Sequence, residues 1–115
     1  TIGSPDFAAA TGFLLQAAVR GVPVILDGTI STACALIADR ISYRAKQWWL
    51  AGHRSTEPAQ SIALNRLDLE PIVDYGMRLG EGTGALLALL IVQSATATLR
   101  EMATFGEAGV SDRDA

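Results

Sequence analysis

The sequence predicts an α/β fold, a parallel sheet with flanking helices. Three observations carry the prediction: helical segments alternate with short apolar runs, those runs show no polar alternation, and each is closed by a polar turn. Runs without alternation suit parallel strands covered on both faces. Leu, Ile, Val and Phe supply 31 of the 115 residues, enough apolar surface for a core in one segment, residues 1–115.

Ser4-Pro5-Asp6 reads as a helix start, with an N-cap, a proline at the first helical position and an acid in the first turn. Phe7, Ala10, Leu14, Ala17 and Ala18 then fall on one stripe, and Gly21 and Pro23 stop the helix. Val22 to Leu26 is the first strand and Asp27-Gly28 closes it. A second helix runs from about Ser31 to Tyr43, with Ala33, Leu36, Ile37 and Ile41 spaced to face a core and Cys34 inside it as a small buried residue. Gln47 to Gly52 reads as the second strand, with Trp48 and Trp49 on opposite faces, ending in a turn at His53-Arg54-Ser55. Glu57-Pro58 opens a third helix reaching Leu67. Ile72 to Tyr75 is the third strand, and the loop Gly76 to Gly84 feeds a long helix from Thr83 to about Phe105. Three parallel strands leave open edges, so further strands from more chain or another subunit are expected.

Composition narrows the function. A net charge of -3 and an isoelectric point near 4.9 offer no basic field for nucleic acid. Cys34 stands alone, which excludes a disulfide scaffold. The uncharged stretch Thr83 to Leu99 contains Gln93, Ser94, Thr96 and Thr98 and falls short of a spanning helix. With no opening signal peptide, a cytoplasmic protein without membrane contact is the expectation.

In open parallel sheets, ligands bind beyond the carboxyl ends of the strands. Three polar turns lie at such ends: Asp27 to Thr32, His53 to Pro58, and Arg78 to Gly84. Because parallel strands end on one side, these turns are expected to converge on one crevice. In the third, Gly80, Gly82 and Gly84 flank Glu81 and display it, either as a ligand-approach loop or as a turn in which Thr83 or Glu81 caps the last helix. The spacing is neither a dinucleotide fingerprint nor a P-loop. Arg78 is placed to pair with Glu81, to reach a phosphate, or to stand in solvent. Ser55 offers its hydroxyl and N–H to an anion or caps the next helix. Asp27 with Gly28 suits a ribose or cation, or only a turn. His53 has no second His or Cys pair beside it, which argues against a metal site and a Ser-His-Asp triad.

Four strings in order carry a resemblance: Leu26-Asp27-Gly28-x-Ile30-Ser31-Thr32, His53-x-Ser55-x-Glu57-Pro58, Arg78-Leu79-Gly80-Glu81-Gly82-Thr83-Gly84-Ala85, and Glu101 to Phe105 with Glu107 to Ser111. Together they resemble the C-terminal third of the nicotinate-nucleotide:dimethylbenzimidazole phosphoribosyltransferases. The resemblance implies the C-terminal part of a three-layer, Rossmann-like fold. It also implies a glycosyltransferase of cobalamin lower-ligand synthesis, moving phosphoribose from nicotinate mononucleotide to 5,6-dimethylbenzimidazole with inversion and releasing nicotinate. Glu81 matches the family's catalytic base. Ser55 and Arg78 match positions that hold the phosphoribosyl part, Gly80 and Gly82 let the ligand approach, and Asp27 and Gly28 join them more loosely as substrate-binding residues. No cofactor and no metal is implied, and the expected partners are the two small substrates and a second copy or the absent N-terminal portion.

The family's N-terminal portion, with most of the sheet, much of the benzimidazole pocket and a second functional glutamate, has no counterpart here. Two alternatives to a working transferase follow. One is a non-catalytic binding or assembly module whose long apolar helix is an interface; the other is a nucleotide-binding α/β fragment acting on another base.

Overall fold

The computed structural model describes residues 4–111. The Ser4 hydroxyl accepts the Phe7 N–H at 3.4 Å and Pro5 occupies the first turn of α1 (Pro5–Val19), where its missing N–H costs nothing. Then come β1 (Val24–Leu26), α2 (Thr29–Ile41), a 3₁₀ segment (Tyr43–Trp48), β2 (Trp49–Ser55), α3 (Pro58–Leu67), β3 (Pro71–Met77) and α4 (Thr83–Glu101). The three strands form one parallel sheet in the order β1-β2-β3, flanked by helices as the alternation predicts. Val24 lies opposite Trp49, and His53 opposite Val73, with an irregularity before Ser55 meets Met77.

Several boundaries differ from the sequence reading for physical reasons. The Val22 N–H donates back to the Ala17 carbonyl to close α1, and Pro23 has no N–H, so strand pairing starts at Val24. β2 continues through His53-Arg54-Ser55, expected as a turn, because β3 pairs with that backbone on one edge and, beyond the end of β1 at the other, the Gln60 amide bonds the His53 carbonyl and the Ser55 N–H. Trp48 and Trp49 therefore do not share a strand. Trp48 ends the 3₁₀ segment with its ring close to Gly21, while Trp49 is buried.

On α2 the buried positions are Thr32, Cys34, Ala35 and Ala38, not the expected stripe. Ile37 and Ile41 are exposed on a shallow groove against Phe7, Thr11 and Leu15 of α1. Small residues let α2 approach the core closely, which a stripe chosen by side-chain size misses. The core joins Leu14, Leu26, Cys34, Ala35, Ala38, Ala45, Trp49 and Leu67. Full burial of Leu26 and Leu67 contributes about 1.5–3 kcal/mol each. Burial pushes the Cys34 thiol up, with Thr11 beside it acting in the opposite direction, so Cys34 is the inert packing residue expected.

Trp49 faces the α1–α2 core, and Gly52, on the opposite pleat, faces α4. The approach is close: a Cβ at Gly52 would lie 2.9 Å from Ala85 Cα. α4 packs across all three strands, yet only Gly84 and Ala88 of it are buried, leaving Leu86, Leu90, Ile91 and Leu99 exposed. By length and composition alone α4 would pass for a membrane span, longer than its uncharged stretch suggested. It ends at Glu101, short of Phe105, because the following chain folds into its own turn, with the Glu107 carboxylate accepting from Thr104 N–H and Oγ1–H.

Candidate functional site

The three strand-end turns converge as expected. They border one open cavity of about 470 Å³ whose wall includes Asp27, Gly28, Ser55, Arg78, Gly80 and Glu81, with Ala10 and Cys34 also contributing. Small-molecule sites typically occupy about 300–1,000 Å³. All seven residues singled out in the sequence are brought together except Gly82, which lies one residue beyond the wall and N-caps α4.

Asp27 follows β1 directly. Its Oδ2 accepts the Gly82 N–H at 3.0 Å and its Oδ1 accepts the Ala85 N–H at 3.1 Å. Thus a side chain 55 residues away caps α4, rather than Thr83 or Glu81 as one reading of the turn allowed, and Gly82 supplies no side-chain cap. The Gly28 carbonyl starts α2, accepting from the hydroxyls of Ser31 and Thr32.

Ser55, at the carboxyl end of β2, is buried and oriented by α3. Its N–H donates to Gln60 Oε1 and so is engaged within the chain in this arrangement. Its hydroxyl oxygen accepts the Glu57 N–H at 3.2 Å, which leaves the hydroxyl proton to donate. Gln60 was not anticipated from the sequence. It is 1% exposed, and its Nε2 donates to the carbonyls of Asp27 and His53, each at 3.1 Å. A signal existed: Gln60, Ala63, Leu64 and Leu67 share one helical stripe, and an amide on an apolar stripe needs buried partners.

Arg78 pairs with Glu57 through its Nε and not with Glu81, one of the partners the spacing allowed. Its outer guanidinium nitrogens make no hydrogen bond among the described residues, and the side chain is largely exposed. Glu81 is exposed on the cavity wall at φ +61, followed by Gly82 at φ +84, so two successive left-handed residues lift it off the helix start. Gly84 does something other than admit a ligand. A Cβ there would lie 2.0 Å from Cδ2 of His53, so this glycine lets α4 rest on the His53 ring. That ring is 1% exposed, neither nitrogen has a hydrogen-bond partner among the described residues, and Nε2 lies 3.9 Å from Asp27 Oδ1.

The arrangement combines a free carboxylate, a hydroxyl donor and a guanidinium around one opening, the set needed to accept a proton and hold an anion.

Comparison with known proteins places the chain in a family. Residues 1–110 match the family model described as DBI_PRT, phosphoribosyltransferase. The chain is 59% identical over 113 residues to the nicotinate-nucleotide–dimethylbenzimidazole phosphoribosyltransferase of Mycobacterium avium (strain 104), covering 98% of this chain and 32% of that protein. It is 57% identical over 111 residues to the protein of the same name from Mycobacterium tuberculosis (strain ATCC 25618 / H37Rv), covering 96% and 31%. Among solved structures it superposes on the nicotinate-nucleotide-dimethylbenzimidazole phosphoribosyltransferase of Thermus thermophilus with a TM-score of 0.86 and 42% identity, over 92% of this chain and 32% of that one. The chain spans about a third of the length of the curated relatives it matches. With family model, sequence and structure in agreement, the chain belongs to the nicotinate-nucleotide–dimethylbenzimidazole phosphoribosyltransferase family, of which it is a partial portion.

Proposed function

We propose that this chain carries the proton-accepting and phosphoribosyl-holding part of an enzyme that transfers phosphoribose from nicotinate mononucleotide to 5,6-dimethylbenzimidazole, giving α-ribazole 5'-phosphate and nicotinate. The observation that carries the reading is the free, exposed carboxylate of Glu81 on the same cavity wall as the Ser55 hydroxyl and Arg78.

A benzimidazole nitrogen attacks the sugar's anomeric carbon, forming the new C–N bond with inversion. The bond to the nicotinate ring breaks and its electron pair returns to that ring's nitrogen. The leaving ring already carries positive charge as a pyridinium, so its departure needs no acid. The acceptor must lose its N–H proton, and Glu81 takes it. Ser55 and Arg78 hold the phosphate; Gly28, Gly80 and Gly82 keep the wall low beside it. The working form includes the family's remaining two-thirds, which supplies the rest of the sheet and the base pocket.

The test is nicotinate release from nicotinate mononucleotide and dimethylbenzimidazole, with the rest of the family's chain supplied as a fused or separate polypeptide. Glu81→Gln is expected to lower the rate by about 10²–10⁴-fold, the usual worth of a general base. An unchanged rate would remove Glu81 from that role. Calorimetry showing mononucleotide binding without turnover in any combination would favour a non-catalytic binding module instead.

A further inference from the structure

We propose that Asp27 is a positioning residue that acts through Glu81, holding the turn that presents this carboxylate to the substrate; the inference rests on Glu81 being the base. Asp27 joins β1 to the Glu81 turn across more than fifty residues of sequence, and both of its carboxylate oxygens accept backbone N–H groups of that turn and of the α4 start, from Gly82 and Ala85. A carboxylate engaged in this way is aimed at the loop rather than offered to a ligand.

The loop needs such a hold. Glu81 is a non-glycine residue at φ +61 followed by Gly82 at φ +84, a conformation that persists only where the surroundings determine it. The α4 start contributes no side-chain cap of its own, so the Gly82 and Ala85 donors both depend on the Asp27 carboxylate, and an amide in its place can accept at most one of them. Asp27 is itself fixed from behind, since Gln60 Nε2 donates to its carbonyl oxygen. Its side chain is only 18% exposed, and bonds to a partly desolvated carboxylate are stronger than bonds between neutral groups. His53, itself 1% exposed, lies beneath the turn with its Nε2 3.9 Å from Oδ1.

Groups that act as a unit show non-additive losses, and independent substrate contacts show additive ones. The test is therefore a double-mutant cycle on nicotinate release, with the rest of the family's chain supplied. Asp27→Asn, which keeps the shape and one acceptor oxygen, is expected to lower kcat by about 10- to 100-fold while KM for nicotinate mononucleotide moves less than about threefold. In the Glu81→Gln background the same substitution is expected to change the residual rate by less than about threefold. A Glu81→Gln enzyme that has lost activity while the Asp27→Asn loss persists at full size overturns the positioning role alone. A Glu81→Gln enzyme at full rate overturns the base assignment and the positioning role with it.

Amide hydrogen exchange on the chain supplies a readout apart from turnover. Asp27→Asn is expected to speed exchange at Gly82 and Ala85 by about 10- to 100-fold and to leave Leu64 and Leu67 protected. Equal acceleration across those core amides would show general support of the fold and overturn the proposal.

Discussion

Substituting Gly84 by alanine tests how closely α4 rests on the sheet. The new Cβ would lie 2.0 Å from His53 Cδ2, 2.2 Å from Cγ and 2.6 Å from Nε2. Ordinary contact begins near 3.4 Å, so ring or helix must give by about 1.4 Å. His53 is 1% exposed, and the helix is held by a second close approach of Ala85 over Gly52. Overpacking of this kind costs about 1–3 kcal/mol or more, and the gain in helix propensity, at most about 1 kcal/mol in a helix interior, is smaller in a first turn. A net loss of roughly 1–3 kcal/mol is expected from urea unfolding of Gly84→Ala, with an unchanged slope. Gly12, exposed on α1 with open space around it, is the control: Gly12→Ala is expected to stabilise by about 0.5–1 kcal/mol. In a His53→Ala background the Gly84→Ala loss should shrink by about 2 kcal/mol, because the obstructing ring is gone. A Gly84→Ala chain within about 0.5 kcal/mol of the parent would refute the close packing and, with it, the account of why this glycine is required.

Two further predictions follow from the same polar layer and from the chain's last turn. Gln60→Leu strands the Ser55 N–H and the carbonyls of Asp27 and His53 and is expected to cost about 3 kcal/mol by urea unfolding; a loss below about 1 kcal/mol would mean that the amide does not tie the turns together. Glu107 is held below its ordinary carboxylate range, first by the Thr104 N–H and then by the Thr104 hydroxyl. A carboxyl group with a lowered folded value stabilises the structure above its unfolded value and loses that contribution as pH falls through the folded one. The turn from Thr104 to Val110 is therefore expected to open in acid, below the ordinary value of 4.5, while the core stays folded. A Thr104 amide resonance that stays constant through that range would contradict the contact.

What the sequence made legible were the features with local causes. Ser4 and Pro5 start α1 through groups within one turn of chain, and the convergence of Asp27, Ser55 and Glu81 follows from parallel strands ending on one side. Less legible were features whose causes lie across the fold. His53 and Ser55 read as a turn because they are polar, yet both are buried in strand, where pairing with β3 and the Gln60 amide satisfy the backbone around them. The α2 face was misjudged because Ala35 and Ala38 are chosen for closeness, not for apolar area, and the larger Ile37 and Ile41 are left outside. Gly84 looked like part of a ligand loop because its spacing matches Gly80 and Gly82, and only the distance to His53 separates its role from theirs.

The site thus rests on two distinct layers. The outer one, Glu81, the Ser55 hydroxyl and the outer guanidinium of Arg78, is exposed or only partly satisfied and remains available for chemistry. Beneath it, Gln60 joins the ends of β1 and β2, and Asp27 joins the end of β1 to the start of α4, so each turn is tied to a neighbour through a buried or half-buried polar group. Partly satisfied buried networks are costly, and in this one the His53 ring nitrogens have no hydrogen-bond partner among the described residues, α4 covering the ring without offering one. Such a cost is reasonable where the gain is geometric: on the proposed function Glu81 accepts a proton, a base works best when held within about 0.5 Å, and a left-handed turn tied only by its own backbone would not hold it so. If Glu81 is the base proposed above, the buried side chains matter to the rate as much as the exposed ones, and the coupling between Asp27 and Glu81 is where that can be measured.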